Sequence, residues 1–326
     1  MAEKRYKCDF LLHGLNFEVE NLFNCCMTAH SGDKNILPIQ KIESGELNWD
    51  RVFELKRYLA EKMLEGKIPN QCKNCYYLKE AEADFSLDGE GYLSTIWLNH
   101  FSQCNSCCSY CYKVKNENET GYIKEYDVLT HFKYMFENNL LKNGGHIVFG
   151  GGEPTLLSCF EELLQLCFDN GIKRYIIHSS GIKYSQALAK GLKTKEIDLI
   201  ISIDSATRET YKKIKKVDAF DKVCSNIKRY VQESGSTHTI KTKYIIIPGI
   251  NDNFEEITKW YYMSVKDFGL KSIILDVEKY WFINNSDSIP PHIFELLKHI
   301  KNLAEKDGIS LYYYEQALLL QSRMEE

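Results

Sequence analysis

The residues in this sequence with the plainest capacity for chemistry are cysteines grouped on one short segment. Cys104-Asn-Ser-Cys107-Cys108-Ser-Tyr110-Cys111 contains a C-x3-C-x2-C arrangement, which places three thiols on a single loop. A [4Fe-4S] cluster normally takes four cysteines, so a three-cysteine loop leaves one iron with an open position, as catalytic metal sites require. Cys107 allows a second reading of the spacing, C-x2-C-x3-C. A structural zinc site completed by His100, or coincidence in a cysteine-rich chain, are the plainer readings. A second cysteine group lies in the first quarter of the chain: Cys8, then Cys25-Cys26, then Cys72-Lys-Asn-Cys75. Four separated thiolates suffice to close an iron-sulfur site or a zinc site, and zinc accepts four thiolates at C-x2-C spacing. Cys159, Cys167 and Cys224 stand alone on apolar helix faces and read as small buried hydrophobes.

The elements that must position these groups alternate between strand-like and helix-like patterns from about residue 92. Tyr92–Asn99 is an apolar, β-rich run that delivers the chain to the cysteine loop, and a helix follows over about 126–139. Further strands are expected at 146–149, 174–178, 198–203, 240–247 and 272–277, each but the last followed by a helix. This is the rhythm of a parallel α/β fold. Six strands in place of eight predict an open or partial barrel. Near-continuous apolar strands such as Ile197–Ile203 fit a sheet covered by helices, and chemistry in such folds gathers at the C-terminal strand ends. The cysteine loop, Gly150-Gly151-Gly152, Ser179-Ser180 and Asp204 all fall there.

The first ninety residues lack this rhythm and read as a separate cysteine-anchored module. It includes a hairpin over 15–19 and 22–26 and a helix over 52–64. A helix over 293–305, a strand over 309–314 and a polar helix close the chain. The expected organisation is therefore residues 1–90, 91–280 and 281–326.

Phe149-Gly-Gly-Gly-Glu153-Pro154-Thr155-Leu156 ends the second strand. C-x3-C-x-aromatic-C after the first strand, with Tyr110 as the aromatic, resembles the radical S-adenosylmethionine (SAM) superfamily, and the glycine segment is similar to that family's GGE motif. The stretch from Ser202-Ile-Asp204 through Glu209, Tyr211 and Ile214 to Phe220 resembles the peptide-modifying and sulfatase-maturing branches. The resemblance implies a partial (β/α)6 TIM-like barrel, with a [4Fe-4S] cluster on Cys104, Cys108 and Cys111. It implies SAM held by Tyr110, Gly151, Gly152, Glu153, Ser180, Ser202, Asp204 and Lys243, the last supplying charge for a carboxylate. Where many relatives have Thr-Asn-Gly, this chain has Ser179-Ser180-Gly181. The run from Arg208 to Lys216 reads as a solvated helix face.

Cys8, Cys25, Cys72 and Cys75 resemble a Twitch or reduced SPASM module, here placed before the barrel. That implies an auxiliary [4Fe-4S] or [2Fe-2S] cluster, with zinc as the alternative and Cys26 as the alternative to Cys25. The implied chemistry is reductive cleavage of SAM to a 5′-deoxyadenosyl radical, supplied with electrons by a flavodoxin- or ferredoxin-type donor. Hydrogen abstraction from a substrate follows, giving oxidation, epimerisation or a cross-link. A peptide or ribosomally made precursor is the expected substrate, although no peptide-recognition segment is apparent before Cys8. A sugar or aminocyclitol is the runner-up, and a non-catalytic iron-sulfur carrier or redox sensor is the reading from another class. Cys159, Cys224, Tyr244 and Glu278 are candidate hydrogen or proton donors.

Composition bounds these readings. The chain has 326 residues, 44% hydrophobic and 26% charged, with net charge -4 and 12 cysteines. No basic stripe marks a nucleic-acid partner. No apolar run approaches the roughly 18 to 20 residues of a membrane span. The charged start, Met1-Ala2-Glu3-Lys4-Arg5, leads into no apolar core, so a cytoplasmic location is expected, where cysteines serve metals more readily than disulfides.

Overall fold

A computed structural model describes residues 4–18, 21–25, 40–41, 47–73, 75, 77–87, 91–111, 127–194 and 196–325. The chain divides into two compact units, the first comprising Met1–Ser102, Tyr122–Gly152 and Ser158–Tyr175 and the second Gln103–Gly121, Glu153–Leu157 and Ile176–Glu326. Among the described residues no helix is long and apolar enough to cross a membrane.

In the first unit, β1 (Tyr6–Lys7) leads through α1 (Asp9–His13) to β2 (Gly14–Glu18) and β3 (Asn21–Phe23). The expected hairpin is present, with Asn16 opposite Phe23 and Phe17 opposite Leu22. β4 (Gln40–Lys41) pairs with β3, and α2 (Trp49–Leu64) starts where the Asn48 side chain accepts from Arg51 N at 3.1 Å, satisfying one of the helix's free N–H groups. β5 (Lys79–Glu80) pairs with β1. The central strand is β6 (Leu93–Asn99), parallel to β2 on one side and to β7 (Leu141–Phe149) on the other. The first ninety residues thus supply a strand that pairs directly with β6. The ladder between β6 and β7 shifts register between Leu93 and Thr95. Gly144, at φ +83°, absorbs the bulge that lets β7 begin five residues before the expected strand. α3 (Val128–Glu137), capped by Asp127, and α4 (Phe160–Asp169) follow β6 and β7 in the chain.

The second unit holds β8 (Arg174–Ser179) from Ile176 onward. It continues through α5 (Gln186–Thr194), β9 (Glu196–Ser202), α6 (Arg208–Lys215), α7 (Phe220–Ser234), β10 (Ile240–Ile246) and α8 (Phe254–Tyr262). β11 (Ser272–Val277), α9 (Lys279–Asn285), α10 (Pro291–Asp307), β12 (Ser310–Tyr313) and α11 (Glu315–Glu325) complete it. Strands β9 to β12 run parallel in chain order. The expected strands are all found, and two features go beyond them: α9 follows the sixth strand, and β12 extends the sheet in parallel.

Side chains on β10 alternate between two environments, as strand geometry requires. Thr242 donates to Ser264 at 2.8 Å, and Tyr244 packs on Trp260 at 4.9 Å between ring centroids, so this face meets the α8 segment. Lys241, Lys243 and Ile245 occupy the other face, which is concave. His178 on β8 reaches Tyr314, just past β12, with 5.9 Å between their rings, although β9, β10 and β11 lie between those strands. The interior is tiered. Lys241 sits with Asp198 and over Tyr312; Lys243 lies over Tyr314; Ile245 packs with Ile214 against Tyr110.

Candidate active site

The cysteine loop is rooted in the second unit by its backbone. Cys107 N donates to Lys215 O at 3.0 Å and Ser109 N to Ile214 O at 2.9 Å. These are among the last carbonyls of α6, which have no partner within the helix. Ser180 Oγ donates to Asn105 Oδ1 at 2.8 Å, tying the loop to the end of β8. Cys111 N donates to Cys108 O at 3.0 Å, and Ser106 Oγ lies 3.4 Å from Cys104 Sγ and 3.6 Å from Cys108 Sγ. Cys104 and Cys107 are exposed, Cys108 and Cys111 half-buried. Among the described residues no trio of Cys, His, Asp or Glu side chains is closed up around a metal position. The fit of a cluster therefore rests on donor chemistry: three thiols on a loop anchored by two backbone bonds and one side-chain bond, with two of the thiols touching one hydroxyl.

Beneath the loop lies a buried charge network. Asp204 adopts φ +55° at the end of β9, a left-handed conformation that Asp tolerates better than most residues. It is 0% exposed. Its Oδ1 accepts from Ile245 N at 2.8 Å, and its Oδ2 accepts from Tyr110 OH at 2.5 Å and from Lys215. Lys215 also donates to Tyr110 OH at 2.7 Å. Burial pulls the Lys215 pKa down, but Asp204 and Cys108 outweigh it and leave the group raised. Burial, with Asp204 beside it, holds the Tyr110 phenol well above its usual range. Asp204, expected to face SAM, is placed with both oxygens bonded within the protein, Oδ1 to Ile245 N and Oδ2 to Tyr110 OH and Lys215. The Arg208–Lys216 run also divides. Arg208 is solvated and pairs with Asp218, whereas the Lys215 side chain is 3% exposed. The signal was present, because Tyr211, Ile214 and Lys215 share one helix face at i, i+3, i+4.

In the first unit, Gly152 N donates to Phe101 O at 2.9 Å, and Gly151 has φ +78°. A methyl group on Gly151 would come within 2.9 Å of the Phe101 carbonyl, so only glycine fits. In the second unit, Glu153 is 1% exposed. Its Oε1 accepts from Thr155 Oγ1 at 2.7 Å and Ser179 Oγ at 2.9 Å, and its Oε2 accepts from Ser180 N at 2.6 Å. Glu153 thus fixes the strand end that presents Ser180.

Ser202 stands opposite Lys243 in register, and Asp276 opposite Ile245, all on the concave face. The Lys243 ammonium lies 5.3 Å from the Tyr314 ring centre and bears electrostatically on His178 and Asp276. Burial drives the His178 pKa down to about 3, with Lys243 adding to the shift. Burial raises Asp276 to about 6, with Lys243 opposing. Asp276 Oδ1 accepts from Val277 N at 2.9 Å and from Gln316 N at 3.2 Å, capping α11. Lys243 thus belongs to a tier with His178, Asp276 and Tyr314, three residues that sequence reasoning missed; a lone acid in the apolar strand Ser272–Val277 was the available signal. Of the candidate donors, Tyr244 is on the helix side and donates to Asn251 O at 2.7 Å. Glu278 caps α9, Cys159 precedes α4, and Cys224 lies on α7.

The four N-terminal thiols lie within the first unit. Cys8 precedes α1, and Cys8 and Cys25 are buried. Cys72 ends a short helical turn, and Cys75 N donates to Cys72 O at 3.1 Å. Burial raises Cys72 to about 12, and Cys25, Cys8 and Cys75 add to it, so the four thiols lie within one another's field. Cys26 lies outside the described residues.

Residues 98–261 match the family model of the radical SAM superfamily. This chain belongs to the radical SAM superfamily. Membership implies an enzyme that uses a [4Fe-4S] cluster and SAM. An uncharacterised protein of Methanocaldococcus jannaschii is 33% identical over 156 residues, 46% of this chain and 47% of that protein. A "Probable GTP 3',8-cyclase" of Saccharolobus islandicus is 29% identical over 183 residues, 55% of this chain and 54% of its own length. The chain spans about half the length of these curated relatives. Among solved structures, SuiB of Streptococcus suis bound to SAM aligns with TM-score 0.54 and 12% identity over 81% of this chain and 55% of its own. Native anSMEcpe with bound SAM and the Cp18Cys peptide aligns with TM-score 0.50 and 19% identity over 67% of this chain and 62% of its own. These likenesses are of fold, and they agree with the mostly parallel α/β architecture of the radical SAM enzyme described above.

Proposed function

We propose that this radical SAM enzyme modifies a peptide, with Cys104, Cys108 and Cys111 holding the SAM-binding [4Fe-4S] cluster. The observation that carries the site reading is the anchoring of the cysteine loop, which the Lys215–Asp204–Tyr110 network fixes over the concave face of the sheet. When bound, the reduced cluster supplies one electron to the SAM sulfonium, giving methionine and a 5′-deoxyadenosyl radical able to take a hydrogen atom from substrate. The chain's own residues do the rest. Glu153 holds the β8 end, and Ser180 and Ser202 offer hydroxyls for hydrogen bonding. Lys243 and Asp276, two positions apart in register on neighbouring strands, set a donor and an acceptor on the interior face, which suits the carbonyl and N–H of a peptide group. Cys8, Cys25, Cys72 and Cys75 form an auxiliary metal site, and an external flavodoxin- or ferredoxin-type protein supplies electrons.

Two observations support the peptide reading: SuiB aligns with this chain in a structure with the precursor peptide SuiA bound, and anSMEcpe does so with a peptide bound. A second reading, action on GTP, is favoured by the Saccharolobus relatives. It requires cations for a triphosphate, and on the concave face Lys241 is already paired with Asp198. The two are separated by supplying the reduced, reconstituted enzyme with SAM and either deuterated peptide pools or deuterated GTP. Deuterium in 5′-deoxyadenosine from peptides is the expected result; transfer from GTP alone would replace the peptide reading.

A further inference from the structure

Lys56 lies on the buried side of α2 and is 2% exposed. Its ammonium donates to three backbone carbonyls: Leu11 at 2.9 Å, Asn24 at 3.4 Å, and Gly14. Three acceptors match the three protons of an ammonium, one more than a neutral amine carries. A charge taken wholly out of water costs several kcal/mol unless an opposite charge accompanies it. Burial lowers the Lys56 pKa to about 7, and among the described residues the ionisable groups that oppose that lowering, and so favour the ammonium, are the thiols of Cys25 and Cys8. The three carbonyls also share a position. Leu11 and Gly14 follow Cys8 through α1, and Asn24 immediately precedes Cys25, so one side chain holds both thiol-bearing segments.

We propose that Lys56 is the counter-charge and positioning residue for a thiolate-bound metal centre at Cys8, Cys25, Cys72 and Cys75. The proposal rests on the metal reading of those four cysteines. A protonated thiol gives the buried ammonium no charge partner, whereas a metal-bound thiolate does. Four thiolates around a divalent ion leave the site negative overall, and Lys56 offsets part of that charge from inside the fold. A lysine that merely ties two segments together needs its hydrogen bonds and not its charge. That difference separates the two roles.

The test uses the full chain with Cys104, Cys107, Cys108 and Cys111 each replaced by Ala, so that thiolate signals arise from the N-terminal group. Metal-free protein is titrated anaerobically with Co2+, followed by thiolate-to-cobalt charge-transfer absorption, and then with Zn2+ in competition. With Lys56 intact, bound Co2+ should show thiolate absorption that Cys25→Ala diminishes. Lys56→Gln keeps a donor for the carbonyls but no charge, and should weaken Co2+ binding about tenfold or more, while Lys56→Arg should stay within about threefold. Equal affinity of the Lys and Gln chains overturns the counter-charge role while leaving the metal site standing. Absence of thiolate absorption with Lys56 intact overturns the metal site and this proposal together. If circular dichroism shows the Gln chain unfolded, the Arg chain decides: retained affinity supports the role, and a tenfold loss overturns it.

Discussion

Replacing Lys215 by Met should destabilise the second unit by about 3–5 kcal/mol, the cost of leaving one member of a buried pair without its partner. The magnitude follows from burial. The side chains are 3% exposed for Lys215 and 0% for Asp204, so no water replaces the lost ammonium, and Tyr110 loses a donor as well. Arg208–Asp218 provides an internal control on the same helix. Its side chains are 58% and 41% exposed, and Arg208→Met should cost under about 1 kcal/mol. Urea unfolding of metal-free protein, followed by circular dichroism, measures both. A Lys215→Met, Asp204→Asn double variant should recover part of the loss, because no unpaired charge remains, and Asn tolerates the left-handed backbone at that position. The sign with pH is also fixed. Because the folded pKa of Lys215 is raised, its contribution is complete below the unfolded lysine value of about 10.4, so the gap should be flat from pH 6 to 9. A Lys215→Met cost equal to that of Arg208→Met would refute the claim that this network anchors the loop.

Three further outcomes are expected. His178, held at about 3 by burial, contributes stability that is complete above the unfolded value of about 6.5 and lost as pH falls below it. Asp276, raised to about 6, has the opposite slope below that pH, so His178→Gln should gain on the native chain between pH 7 and pH 5 in urea midpoints. Gly151→Ala must force a side chain into φ +78° against the Phe101 carbonyl and should cost about 1 kcal/mol or more, read as a lowered melting temperature. Lys243→Met should reduce deuterium transfer from peptide to 5′-deoxyadenosine about tenfold, the loss of a charged hydrogen bond.

The strand and helix order from residue 92 onward was legible because apolar periodicity is a local property, and the same holds for the hairpin of β2 and β3. The parallel pairing of β2 with β6 was not, since nothing in Gly14–Glu18 encodes a partner 81 residues away. At the site, cysteine spacing marked the loop, but the means of holding it were hidden. Asp204 was named through its resemblance to a family position, and its bonds to Lys215 and Tyr110 were not legible, because Lys215 is concealed among neighbouring lysines. Lys243 was expected to meet a carboxylate of SAM, and only the curl of the sheet, bringing β8 to β12, shows that it shares a tier with His178, Tyr314 and Asp276. Lys56 carried no signal, since a lysine on a helix is ordinarily exposed.

The most direct test of the central claim is SAM cleavage by the anaerobically reconstituted, dithionite-reduced enzyme, with iron and sulfide content measured on the same samples. The account predicts 5′-deoxyadenosine from the native chain and none from Cys104→Ala, Cys108→Ala or Cys111→Ala, while Cys107→Ala retains cleavage. Loss of cleavage in Cys107→Ala with retention in Cys108→Ala would contradict the ligand set, and a full, reducible cluster that yields no 5′-deoxyadenosine would contradict the assignment of SAM cleavage to this loop.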